Sequence, residues 1–169
     1  MNARTKRIII FALIGALLIG AIAGIVALTG REKADKGFNL VEVDFERGGL
    51  TSEGIYTDTK ASIYTKNAFE CGEGIRIKLE FDSDVKYQAY FYDDNDDFVE
   101  ASGEFTKTET ITAPEGATYV RLLVTPIYDA DVPEDDQKVG IFEVSKYAKQ
   151  LTVMVKPAEE TETETEADA

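Results

Sequence analysis

The clearest pattern along the chain is an alternation of apolar and charged residues with a period of two. Residues 75–82 (IRIKLEFD) alternate strictly, which predicts a strand with one buried face and one solvated face. Residues 85–92 (VKYQAYFY) predict a second strand, and the polar residues 93–97 turn the chain back into Phe98 and Val99. That arrangement is typical of a β-hairpin.

Further short strands are predicted along the rest of the chain, with Gly-rich and Pro-containing turns between them. They cover residues 40–45, 50–52, 62–65, 68–71, 109–112, 118–124, 139–144 and 151–155, and a helical turn is predicted at 147–150. Many short strands at such spacing predict a mainly β fold, an antiparallel β-sandwich of jelly-roll type. We expect this domain to occupy residues 37–156.

A different pattern precedes the domain: residues 8–30 form an uncharged stretch of 23 residues. As a helix rising 1.5 Å per residue it would cross a hydrocarbon core of about 30 Å. Residues 1–7 carry Arg4, Lys6 and Arg7, so the positive-inside rule predicts a cytoplasmic head. The chain is therefore predicted to be a single-pass protein of the cell membrane, in contact with the lipid bilayer through residues 8–30. A charged stem (31–36) would lead to an extracytoplasmic domain.

Two features of the apolar stretch leave alternatives open. Ala21 and Ala23 fit the pattern of a signal-peptide cleavage site, so secretion after cleavage near Ala23 is the alternative; the anchor is favoured because cleavage would leave an apolar new terminus. Small residues also recur every fourth position and would share one helix face, which makes them candidates for packing in a homodimer, although such residues are common in any membrane helix. They are Ala12, Ala16, Gly20 and Gly24.

Composition excludes several classes of function. The chain has 18 basic and 32 acidic residues, a net charge of −14, which argues against a nucleic-acid partner because nucleic acid requires a basic footprint. There is no His and only one Cys, Cys71, so a His-based triad, a His-ligated metal and an intrachain disulfide are all excluded. Residues 157–169 are rich in Glu and Thr and are predicted to be a disordered acidic tail.

Catalytic signatures are missing from the sequence. No phosphate-binding loop, nucleophile elbow or metal-ligand spacing occurs, so the sequence predicts neither an enzyme nor a bound cofactor. Cys71 is expected to be a small buried hydrophobe, with an intermolecular disulfide as the alternative if it is exposed.

The acidic run at residues 93–97 invites comparison with a calcium loop. Asp93, Asn95 and Asp97 stand at alternate positions and Glu104 at the twelfth, as in an EF-hand, but Phe98 occupies the sixth position, where the sharp turn needs Gly. Asp and Asn are also preferred in hairpin turns for their own sake. We therefore predict an ordinary turn here and no metal site.

The tyrosines supply a candidate ligand surface on the outer face of the predicted sheet. If Val85, Tyr87, Ala89 and Phe91 face the core, the opposite face receives alternate residues of strands 85–92 and 118–124. Tyr rings stack on the C–H surfaces of sugars while Arg and Gln donate to hydroxyl groups. The alternative is that loops bury this face too. The candidates are Gln88, Tyr90, Tyr92, Tyr119 and Arg121.

Four segments carry a resemblance to known proteins: residues 63–70 (IYTKNAFE), 90–93 (YFYD), 98–103 (FVEASG) and 111–121 (ITAPEGATYVR). Together they resemble the carbohydrate-binding-like β-sandwich modules found in surface and tail proteins of Gram-positive bacteria and their phages. The resemblance covers roughly residues 49–133. It departs from the family at Asp97, where the hairpin turn often carries Gly, and in having no Trp platform.

The resemblance implies a β-sandwich on a bacterial cell surface. Our leading hypothesis is accordingly a membrane-anchored binding module for a cell-wall or environmental glycan. The alternative is a structural ectodomain that binds a protein partner, such as another surface protein, and self-associates through its transmembrane helix.

Overall fold

The computed structural model describes residues 37–158. These residues form twelve strands, one short α-helix and one turn of 3-10 helix at Glu134–Asp136. The strands are β1 (Asn39–Val41), β2 (Phe45–Arg47), β3 (Gly49–Leu50), β4 (Tyr56–Thr57), β5 (Ile63–Thr65), β6 (Phe69–Glu70), β7 (Gly74–Leu79), β8 (Val85–Tyr92), β9 (Phe98–Ala101), β10 (Glu109–Thr112), β11 (Tyr119–Pro126) and β12 (Leu151–Lys156), and the helix is α1 (Val144–Ala148).

Two larger sheets and one small hairpin account for these strands. The first sheet has the order β1-β12-β7-β10, and the second has the order β2-β5-β11-β8-β9, with β6 also pairing with β11. Strands β3 and β4 pair with each other in a separate two-stranded sheet. Every pairing between named strands is antiparallel. The predicted mainly β, antiparallel class is thus confirmed.

Apolar side chains from both large sheets meet in one core. Strand β8 presents Val85, Tyr87, Ala89 and Phe91 to this core, as the period of two predicts, and each is at most 2% exposed. Burying a large aliphatic or aromatic side chain contributes about 1.5–3 kcal/mol. The first sheet contributes apolar residues of β7, β10 and β12, including Ile75, Ile77, Ile111, Leu151 and Val153. Two sheets sharing one core are consistent with a β-sandwich.

One predicted strand is wrong. Residues 139–144 do not form a strand: residues 141–143 are a turn that leads into α1. The Gly140 N–H donates to Glu143 Oε2 at 2.7 Å, and the Glu143 N–H donates to the Gly140 carbonyl oxygen at 2.8 Å. This local closure leaves Ile141 72% and Phe142 98% exposed, although Val139 before them is buried, so the middle of the apolar run does not face the core.

Other boundaries differ in smaller ways. The predicted strand 40–45 is divided between β1 and β2, which belong to different sheets. The helix is Val144–Ala148 and not 147–150, and β4 has no counterpart among the predicted strands. Strands β8 and β10 have the predicted bounds.

Several predictions concern residues that lie outside those the structure describes. They are the cytoplasmic head, the apolar stretch 8–30 with its small-residue stripe and cleavage site, the stem, and the tail beyond residue 158. Within residues 37–158 there is no helix long and apolar enough to cross a membrane.

Candidate binding site

Antiparallel pairing of β8 with β11 brings all five candidate ligand residues onto one face. In this register Tyr119 pairs with Tyr92, Arg121 with Tyr90, and Leu123 with Gln88. The residues between them face the inner core, so the candidates occupy the outer face of the second sheet. The sequence pattern therefore identified the neighbours correctly.

The five candidate residues differ in how much of each is exposed to solvent. Tyr90 is 3% exposed and Tyr92 is 5% exposed, and both belong to a second apolar cluster with Leu50 and Tyr64. Leu50 comes from the β3–β4 hairpin, and the Tyr92 hydroxyl donates to the Gly54 carbonyl oxygen at 2.7 Å. The hairpin therefore covers the two central tyrosines.

The polar candidates already have partners within the domain. Gln88 donates through Nε2 to the Ser102 carbonyl oxygen at 2.8 Å and accepts from the Tyr90 hydroxyl at 3.0 Å. Arg121 donates through Nη1 to the Lys66 carbonyl oxygen at 3.2 Å, and its guanidinium carbon lies 5.9 Å from the centre of the Tyr92 ring. A cation in that position is attracted by the ring face. Both side chains thus stabilise the outer face itself.

Burial also shows in the acid–base behaviour of the tyrosines. Desolvation raises the pKa of Tyr92 to about 12, although the nearby Arg121 charge opposes the shift. Burial likewise raises the pKa of Tyr90, with a further contribution from the negative charge of Glu104. Burial raises the pKa of Tyr64 to about 12, and its hydroxyl donates a hydrogen bond to Glu46. These hydroxyls remain protonated at neutral pH.

Tyr119 is the candidate that lines an open depression. It is half-buried, and with Ala68 and three residues of the β8–β9 turn it encloses a volume of about 340 Å³. The turn residues are Asp94, Asn95 and Asp96. Ala68 joins them because the adjacent strand β6 pairs with β11, Glu70 opposite Tyr119. This pairing of distant segments is a tertiary feature, so sequence reasoning had no signal for Ala68 as a lining residue.

The geometry of the acidic turn explains its composition. Asp93 Oδ1 accepts hydrogen bonds from the backbone N–H groups of Asn95 at 2.8 Å and Asp97 at 3.0 Å. These two bonds, that from Asp97 first, lower the pKa of Asp93. Asp96 adopts a φ of 65°, a conformation that Asp and Asn tolerate in turns. The carboxylate of Asp93 thus closes the hairpin.

The other parts of a calcium loop are not assembled around this turn. Glu104 pairs with Lys86 at 2.8 Å, and residues 37–158 contain no group of three or more acidic, Cys or His residues placed to hold a metal ion. Cys71 is completely buried, and desolvation raises the pKa of its thiol. A buried protonated thiol is poorly placed for exchange with another chain.

Comparison with known proteins gives no assignment. No protein-family model matches the chain, and neither a curated protein nor a solved structure matches it significantly.

Proposed function

We propose that the chain is a membrane-anchored, extracytoplasmic binding module whose jelly-roll-like sandwich recognises a glycan of a bacterial cell surface or its surroundings. We place the site at the depression beside Tyr119. The observation that carries this proposal is the combination, in one small cavity, of an accessible tyrosine with the polar turn residues Asp94, Asn95 and Asp96.

Sugar rings present both surfaces that such a cavity complements. Their C–H faces pack on an aromatic ring, and their hydroxyl groups exchange hydrogen bonds with carboxylate and amide groups. A volume near 340 Å³ is at the small end of ligand pockets, which span roughly 300–1,000 Å³. One or two sugar units therefore fit. The proposal includes no catalytic step, because the sequence carries no catalytic motif.

A protein partner is the second candidate, and a separate observation favours it. Phe81 in the β7–β8 loop is 100% exposed, and Phe142 beside α1 is 98% exposed. Aromatic side chains are enriched at protein–protein interfaces, and both of these are open to a partner. Neither residue lines the depression beside Tyr119, so the two candidate functions can be tested with separate variants.

A glycan array tests the glycan proposal with the full chain, purified in a detergent whose headgroup is not a sugar. We expect reproducible binding that falls roughly tenfold in Tyr119→Ala, because an aromatic stacking surface is lost. Binding should be unchanged in the matched control Phe142→Ala and unchanged by a calcium chelator.

Absence of binding by a folded protein would overturn the glycan proposal and favour a protein partner. Equal binding by Tyr119→Ala and the unmodified chain would place the site elsewhere. Loss of binding with chelator would show that the acidic turn holds a cation after all.

A further inference from the structure

The β3–β4 hairpin covers the outer face of the second sheet without joining that sheet. Its backbone pairs are Gly49 with Thr57 and Leu50 with Tyr56, and within residues 37–158 these two strands form a sheet of their own. The apolar cluster beneath it is separate from the inner core. The hairpin is therefore held to this face by side-chain packing and not by pairing with the second sheet.

One glycine, Gly54, allows the tip of the hairpin to pack closely on the aromatic rings beneath it. Gly54 has a φ of +71° and its carbonyl oxygen accepts the Tyr92 hydroxyl. A Cβ atom at this position would lie 2.6 Å from Phe98 Cδ2 and 2.8 Å from Tyr92 Oη. The tip can rest on the aromatic rings only because it has no side chain there.

The tip is held together by hydrogen bonds of its own. The Thr51 N–H donates to the Ile55 carbonyl oxygen at 2.8 Å, and the Gly54 N–H donates to the Thr51 carbonyl oxygen at 2.9 Å. At the base, the Gly48 N–H donates to the Ser62 carbonyl oxygen at 3.1 Å, and Ser62 Oγ donates back to the Gly48 carbonyl oxygen at 2.9 Å. Lifting the tip would keep both sets of bonds and break the bond between Tyr92 and Gly54.

The surface beneath the tip continues the depression described above. Tyr92 pairs with Tyr119 across β8 and β11. The Phe98 ring centre lies 6.1 Å from that of Tyr92 and 6.3 Å from that of Tyr90. A row of rings therefore runs from the open cavity under the hairpin, with Arg121 beside it.

We propose that the β3–β4 hairpin is a displaceable cover over a second binding subsite, which takes further sugar units of a linear glycan whose first units occupy the Tyr119 depression. This inference rests on the proposed function. The exposed rings of Tyr90 and Tyr92 would stack on successive sugars, as aromatic platforms do. When the hairpin opens, the second subsite continues the first. The protein then distinguishes glycans by their length.

Tyrosine nitration tests the cover without a ligand, because lifting the tip exposes tyrosine rings and leaves the backbone bonds of the hairpin in place. In the full chain we expect Tyr90 to be nitrated through local opening, well before Tyr87 of the inner core. Tyr92→Phe should speed nitration of Tyr90 about fivefold to tenfold, because it removes the bond to Gly54. Gly54→Ala should also increase nitration of Tyr90 and Tyr92.

Matched control variants distinguish the loss of hairpin contacts from a general destabilisation of the domain. Gly116 has a φ of +85° but open space around its missing Cβ, so Gly116→Ala introduces comparable backbone strain with no contact. Tyr87→Phe removes another hydroxyl-to-carbonyl bond, to Lys107 at 3.1 Å, away from the hairpin. Neither should accelerate nitration of Tyr90 selectively. If Tyr90 is nitrated only at the rate of global unfolding in every variant, the cover does not open and the inference is overturned.

Ligand binding is tested on a glycan array that carries the dimer and the hexamer of each of three repeats. The repeats are β-1,4-linked N-acetylglucosamine, β-1,4-linked glucose and α-1,4-linked glucose. Gly54→Ala and Tyr92→Phe should bind hexamers at least threefold better than the unmodified chain and dimers equally. If dimers bind and neither variant gains on hexamers, the second subsite is disproved and the proposed function stands. If no spot binds any form of the protein, both ideas fail, whatever the nitration data show.

Discussion

At Tyr92, one side chain takes part in three kinds of interaction. Its ring packs in the outer cluster and receives the Arg121 guanidinium, while its hydroxyl bonds to Gly54. An uncovered tyrosine ring would instead offer a flat surface on which a sugar could stack. Whether a tyrosine in a strand stabilises the fold or contacts a ligand thus depends on the residues that surround it in space.

Burial of Tyr92 makes the stability of the domain sensitive to alkaline pH. The folded-state pKa is about 12, whereas an exposed tyrosine titrates near 10. Above pH 10 the unfolded chain releases this proton and the folded chain retains it, so stability that is complete below pH 10 falls as pH rises towards 12.

We therefore expect the urea midpoint of the full chain to fall between pH 10 and 12. Each such group contributes about 1.4 kcal/mol of unfolding free energy per pH unit. Tyr92→Phe should show a shallower fall, and Tyr56→Phe, which alters a side chain 53% exposed, should keep the original one. Parallel curves for all three proteins would mean that Tyr92 titrates normally in the folded state.

Among the elements, the loop between β7 and β8 and the segment around α1 depend on one carboxylate. Asp84 accepts hydrogen bonds from the Gln150 side-chain amide and from Lys146 Nζ, the latter at 3.2 Å. These contacts, that from Gln150 first, lower the pKa of Asp84. The Asp84 carbonyl oxygen also accepts from the Ile127 N–H at 2.7 Å. Asp84 thus links the β7–β8 loop to Lys146 in α1, to Gln150 after α1 and to Ile127 after β11.

Removal of this carboxylate should loosen one element without unfolding the domain. Asp84→Ala is expected to speed amide exchange in residues 144–150, while the unfolding free energy falls by only about 1 kcal/mol, because the ion pair is half-exposed. Asp82→Ala, in an exposed position of the same loop, is the control and should change neither quantity. A decrease above 3 kcal/mol would show that Asp84 supports the core itself.

Lowering the pH should have the same local effect. Because the pKa of Asp84 is depressed in the folded state, its contribution is present above the ordinary carboxyl pKa near 4 and is lost as pH falls through the folded-state value.

On the scale of the whole molecule, the first and last described strands complete the same sheet. Strand β1 pairs with β12, Asn39 opposite Val155, and β12 also pairs with β7. The two ends of the described chain therefore meet at one end of this sheet.

This closure predicts that residues 37–158 fold alone. Their melting temperature, followed by circular dichroism, should be within a few degrees of that of the full chain. A piece ending at residue 150 should not fold, because it lacks β12 with the buried Leu151 and Val153. Failure of residues 37–158 to fold would show that the flanking segments contribute to the domain.

The sequence by itself determined the mainly β class, the bounds of β8 and β10, and the two faces of β8 and β11, because alternation along a strand is a local property. It also predicted the apolar stretch 8–30, about which the described residues say nothing. The tertiary structure alone decided that Tyr90 and Tyr92 are covered and that Ala68 and Asp94–Asp96 meet at Tyr119. A two-residue strand such as β4 has too few positions to show a period, and Ile141 and Phe142 are apolar without being buried. Which surface remains open depends on contacts between segments far apart in the chain, and no local pattern records those contacts.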